Sequence, residues 1–166
     1  MKTAATPPEV QWHFIGRLQR NKCKYVAPVC NMIHSVDSAG LAREISKEAA
    51  KAGRVVAVLL QVNTSGEASK SGCRPAALAA LAESVMPLPN IRLAGLMTIA
   101  GLDSDPSATR REFALLNNLR ETLGRATGIA ASRLELSMGM SGDFPDAIAE
   151  GATIVRIGSL IFGARP

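Results

Sequence analysis

Six short apolar runs recur along the chain, and each gives way to a polar or amphipathic stretch. The plainest is "VVAVLLQV" (55–62), rich in valine and without a charge. A continuous run of this kind suits a strand buried on both faces. "IRLAGLMTI" (91–99) is a second buried strand, and "WHFIG" (12–16), "NMIHSV" (31–36), "RLELSM" (133–138) and "TIVRIGS" (153–159) complete the set. The intervals carry helix signals. A polar stretch with helical character runs to about Val26. Asp37 or Ser38 caps "AGLAREISKEAAKAG", where Leu41, Ile45 and Ala49 recur on one helical face. Pro75 stands in the first turn of a helix over 75–86. Asp105–Pro106 opens a long helix with Phe113, Leu116, Leu119 and Leu123 inside, and a short helix begins at Ser141.

Strands alternating with helices predict βαβ units and a parallel sheet, here one α/β domain over residues 1–166. Right-handed crossovers leave a doubly wound open sheet or a (β/α)8 TIM barrel. No Rossmann glycine fingerprint is present. Anion-like motifs follow the last two strands, where barrels commonly build a phosphate site, and this favours the barrel. Six units fall short of the eight, and of the roughly 250 residues, that a closed barrel uses.

Composition excludes several function classes. The net charge of +5 reads as a solvated basic surface. The densest basic stretch, "RLQRNKCKY" (17–25), has no interleaved aromatic platform for nucleic acid. Three cysteines without CxxC spacing argue against a disulfide framework and for a reducing cytosol. "MKTAATPPEV" (1–10) lacks the apolar core of a signal peptide, and no run has the length of a membrane span. A cytoplasmic protein with no nucleic-acid or membrane partner is expected. No HExxH, paired-cysteine or carboxylate cluster suggests a metal, and "GMSGD" lacks the spacing of a nucleophile elbow.

The chemistry concentrates in "ELSMGMSGDFPDAIAEGATIVRIGSLIFGAR" (135–165). Ser137, with the adjacent amide of Met138, follows one strand; Gly158 and Ser159 follow the next. Hydroxyls and free N–H groups in turns bind phosphate without a counter-cation, and glycine permits close backbone approach. Taken alone, Ser141 reads as a helix cap and Gly158 as a turn residue. Arg156 interrupts an apolar strand, so its charge needs a partner or water. A surface arginine on an edge strand, or one paired in a barrel floor, would also satisfy that need. Met97 reads as barrel wall or as core. Asn63, Ser65 and Lys70 lie in the loop after "VVAVLLQV", where Lys70 faces a site or solvent. His13 reads as a core or mouth histidine on a short buried strand.

The segments "WHFIGRLQRNK" (12–22), "VDS" (36–38), "LLQVNTSGEASKSG" (59–72), "GLMTIA" (95–100), "ELSMGMSGDF" (135–144) and "EGATIVRIGSLIFGAR" (150–165) carry a resemblance. Together, and in this order, they resemble the pyridoxal phosphate homeostasis family, relatives of the alanine racemase barrel domain. The resemblance implies a (β/α)8 barrel of the alanine racemase N-terminal type. It implies a cytosolic protein that binds pyridoxal 5′-phosphate (PLP) and balances the B6 vitamers, carrier-like and without established turnover. PLP-dependent apoenzymes would be its partners.

The resemblance implies cofactor contacts from Ser137, Met138, Gly158 and Ser159 to the phosphate, from Arg156 to the pyridine nitrogen, and from Met97 to the ring. It assigns no catalytic residue. The family's Schiff-base lysine, on its first strand, and the FGENY-like segment of its second have no counterpart here. Met1 falls within the helix before the third family strand, so the chain reads as the C-terminal part of the barrel. An amino-acid racemase-like enzyme and a truncated, non-functional fragment are the competing readings. The first is disfavoured, since it needs a Schiff-base lysine and a partnering acid–base residue.

Overall fold

A computed structural model describes residues 7, 9–101 and 105–163. Ala164 and Arg165, which end the last matching segment, and most of the opening decapeptide lie outside the described residues. The strands are β1 (His13–Phe14), β2 (Met32–Val36), β3 (Val56–Gln61), β4 (Ile91–Met97), β5 (Glu135–Met140) and β6 (Ile154–Arg156). The helices are α1 (Cys23–Val26), α2 (Ala39–Lys51), α3 (Leu78–Val85), α4 (Pro106–Thr127), α5 (Phe144–Ala149) and α6 (Ser159–Phe162). All six expected strands form.

The strands make one sheet in the order β1-β2-β3-β4-β5-β6, every neighbour parallel. A doubly wound sheet reverses its order part-way; this one never does, which selects the barrel winding. The sheet is also curled. The side chains of His34 on β2 and Ser137 on β5 meet at 2.8 Å. Across a flat sheet those strands stand three spacings, about 14 Å, apart, beyond the reach of a histidine and a serine. The chain therefore forms an incomplete TIM barrel.

Two apolar layers follow from this curl. On β3, Val56, Val58 and Leu60 join the large outer core with Leu41, Ile45, Leu78, Phe113 and Leu116 of the helices. Ala57 and Leu59 point the other way and pack with Ala94 and Met97 on the inner face. Alternation on β4 is broken at Gly95, where the register against β3 shifts. Gly95 has φ +151°, and a Cβ there would run into the backbone of Glu135. The bulge turns both Leu93 and Leu96 to the outer core and Met97 inward.

Helix starts depart from expectation in two places. Ser38 caps α2, accepting from Leu41 N, and Asp105 caps α4, accepting from Ala108 N, as expected. The helix expected from Ser141 begins instead at Phe144, with Asp143 at its N-cap position. Ser141 is thus a loop residue, and the reason is a tight turn in which Met140 N donates to the Asp143 carboxylate at 2.5 Å. His13 is exposed, because β1 has β2 as its single strand partner among the described residues.

Candidate functional site

The C-terminal ends of β1, β2, β5 and β6 surround a cleft of about 680 Å³. Its walls include His13, His34, Ser141, Arg156, Gly158 and Ser159. The curl that brings β2 over to β5 also brings the two glycine- and serine-rich loops to one rim. Gly158 N donates to Ser141 Oγ at 3.2 Å, which ties the loop after β5 to the loop after β6. Gly139, at φ +87°, makes this possible. A Cβ there would stand 2.5 Å from Ala147 Cβ, so glycine lets α5 close onto the end of β5. Gly142 and Gly158 have open space where a Cβ would lie, beside the Ser141 hydroxyl. The first amides of α6 have no intrahelical acceptor. Open space, a hydroxyl and spare N–H groups fit the phosphate end of a cofactor.

Arg156 lines the same cleft. One terminal N–H donates to Ser137 Oγ at 2.9 Å and another to the Thr98 carbonyl at 2.9 Å. Two of five guanidinium N–H groups are thereby used. No carboxylate lies in ion-pair range of Arg156 among the described residues. Burial lowers its pKa to about 10, with Asp143 opposing, so it stays charged at neutral pH. Thr98 is itself fixed, donating through its hydroxyl to the Val62 carbonyl at 2.9 Å and through its amide to the Ser137 carbonyl at 3.1 Å. The result is a half-buried cation on a rigid mount with three donors to spare.

Behind Arg156 runs a chain of side chains that the sequence did not disclose. Ser137 Oγ meets His34 Nδ1 at 2.8 Å, and His34 Nε2 meets His13 Nδ1 at 3.1 Å. His34 is 1% exposed and Ser137 fully buried. Hydrogen-bond accounting fixes the direction. Ser137 Oγ accepts from Arg156, so its own proton finds an acceptor at His34 Nδ1. His34 then carries its proton on Nε2 and donates to His13 Nδ1. Burial, with His13 and Arg156 as further causes, lowers the His34 pKa to about 4; burial also lowers that of His13. His34 is neutral at pH 7, as an acceptor in this chain must be. Its signal in the sequence, a lone histidine in the apolar run "NMIHSV", has no meaning until β2 faces β5.

The expected site residues divide accordingly. Arg156, Gly158 and Ser159 share the cleft. The Ser137 hydroxyl is held by Arg156 and His34. Met138 does not line the cleft: the residue is fully buried, with its side chain in the outer core. Met97 is fully buried in the inner layer with Ala57, Leu59 and Ala94. Asn63 and Ser65 build the loop after β3, where Asn63 accepts from the Ser65 hydroxyl and the Gly66 amide. Lys70 donates to the Ala100 carbonyl at 3.1 Å and lines a separate cleft of about 330 Å³ with Arg17 and Gln61.

The family profile described as "Alanine racemase, N-terminal domain" matches residues 9–166. The chain belongs to this family. Within it, the pyridoxal phosphate homeostasis protein of Aquifex aeolicus is 48% identical over 157 residues, covering 95% of this chain and 68% of its own length. That of Pseudomonas aeruginosa is 46% identical, covering 94% of this chain and 65% of its own. The structure of PipY from Synechococcus elongatus with PLP bound superposes with a TM-score of 0.85 at 38% identity, over 94% of this chain and 72% of that one. The chain spans about two thirds of the length of the curated relatives it matches.

Proposed function

We propose that this alanine racemase-family chain supplies the phosphate- and ring-nitrogen-binding side of a PLP site. It would hold the cofactor and hand it on to PLP-dependent apoenzymes, in the reducing interior of the cell. The observation that carries the reading is Arg156. It is a mounted, half-buried cation with no carboxylate in ion-pair range among the described residues, lining a cleft that also holds an open glycine–serine cradle. PLP bound in PipY and the homeostasis relatives support it.

PLP bound there would supply an aldehyde and an electron-withdrawing ring. The chain's own residues do the rest. The amides and hydroxyls around Ser141, Gly158 and Ser159 would receive the phosphate. Arg156 would donate to the pyridine nitrogen. An arginine cannot leave a proton on that nitrogen, so the ring stays a weaker electron sink than beside an aspartate. That favours carriage over turnover. Met97, fully buried in the inner layer, would act on the site only through its packing with Ala57, Leu59 and Ala94.

Equilibrium dialysis tests the reading. Gly158→Val adds bulk where the structure has open space, so the fold should stand while PLP affinity falls about tenfold or more. Arg156→Leu should weaken PLP binding and leave inorganic phosphate binding alone. PLP affinity unchanged in both variants would refute the assignment.

A further inference from the structure

Ser137 stands on the strand that leads into the phosphate-binding loop, yet its hydroxyl has no free valence for a phosphate. It accepts from Arg156 at 2.9 Å and meets His34 Nδ1 at 2.8 Å, and the residue is fully buried. Nor does Ser137 line the cleft that holds Ser141, Gly158 and Ser159. We propose that His34, acting through Ser137, is a positioning residue that aims the Arg156 guanidinium, so that both residues serve recognition of the ligand's ring nitrogen and not of its phosphate. This rests on the PLP reading of the cleft.

The physical argument is one of degrees of freedom. An arginine side chain loses much rotamer entropy when fixed, and a half-buried cation without a carboxylate would otherwise turn toward solvent. Two acceptors hold this one, and they differ in kind. The Thr98 carbonyl belongs to the backbone beyond β4 and is rigid. The Ser137 hydroxyl is a rotor, able to point its lone pairs or its proton toward Arg156. His34 removes that choice. By accepting the serine proton at Nδ1 it turns the serine lone pairs to the guanidinium. His13 in turn accepts from His34 Nε2 at 3.1 Å and selects the tautomer that leaves Nδ1 bare. A directed chain from the cleft mouth to Arg156 thus converts an ambiguous hydroxyl into a fixed acceptor.

The test separates ring from phosphate with three ligands that carry no aldehyde: inorganic phosphate, pyridoxine 5′-phosphate and its 1-deaza analogue. NMR titration of the full chain gives each affinity, and thermal melting checks the fold of each variant. Wild type should prefer pyridoxine 5′-phosphate to the deaza analogue. Ser137→Ala and His34→Leu should cut that preference about fivefold to tenfold and leave inorganic phosphate within about twofold. His34→Asn, whose side-chain oxygen can take the Nδ1 position, should retain most of the preference. Should His34→Leu fail to fold, Ser137→Ala still decides, since it removes only a hydroxyl. A loss of inorganic phosphate affinity in Ser137→Ala, or an intact ring preference in both Ser137→Ala and His34→Leu, overturns the proposal. A wild type without preference for pyridoxine 5′-phosphate over its deaza analogue, or an Arg156→Leu variant that keeps that preference, removes the PLP reading itself and the proposal with it; the two failures are thereby told apart.

Discussion

At the scale of single residues, two glycines show opposite uses of a missing Cβ. At Gly95 the backbone is at φ +151° and the neighbouring strand is in the way. Gly95→Ala should destabilise the chain by about 3 kcal/mol or more, through strain and displacement of β5. A urea midpoint close to wild type would show that the bulge can be rebuilt. At Gly158 the space is open and belongs to the site. The two substitutions should therefore separate stability from ligand affinity. His34 adds a pH dependence of known sign. Its pKa is about 4 folded against an ordinary 6.5, so the unfolded chain binds more protons between those values. The stabilising contribution is complete above about pH 6.5, declines as the pH falls toward 4, and is absent below it. At about 1.4 kcal/mol per pKa unit the loss is roughly 3 kcal/mol. Urea unfolding from pH 7 to 4 should show this slope in wild type and a shallower one in His34→Asn; equal slopes would place the proton elsewhere.

At the scale of elements, β6 matters most because it carries Arg156 and is a short edge strand. One side chain, that of Thr153, reinforces its ladder with β5 at the strand's entry. Thr153 Oγ1 accepts from the buried Leu136 amide at 2.8 Å, while Thr153 N donates to the Leu136 carbonyl at 3.0 Å. Thr153→Val keeps the shape and removes the acceptor, leaving a buried N–H unpaired. The expected cost is about 1–3 kcal/mol. Amide exchange should accelerate first over Ile154–Arg156 and leave β3 protected. Uniform acceleration would mean that β6 does not open independently. The β3–β4 pair, buried on both faces, should open last.

At the scale of the molecule, the curled sheet has two strands with one neighbour each among the described residues, β1 and β6. Near the second stands α6, with Leu160, Ile161 and Phe162 exposed at 64%, 67% and 85%. Unpaired parallel edges beside exposed apolar side chains drive association. The 166-residue chain should sediment as concentration-dependent oligomers, and Phe162→Ser with Leu160→Ser should shift it toward the monomer. A monodisperse monomer at all concentrations would show these edges to be self-protected.

The sequence by itself determined the elements and their order. Runs such as "VVAVLLQV" and caps such as Ser38 and Asp105 act within a few residues, where propensity and burial pattern suffice. The winding was legible too, because Gly158 and Ser159 follow the last strand, as a barrel's phosphate site demands. Tertiary structure alone decided what each side chain faces. The Gly95 bulge swaps inner for outer positions, and the turn at Met140–Asp143 moves the helix start past Ser141. The roles of His34 and Ser137 arise only when curling brings β2 to β5, residues 103 apart in the chain. Hydrogen bonds of that separation leave no local periodicity, since they depend on the sum of the twists of every strand between.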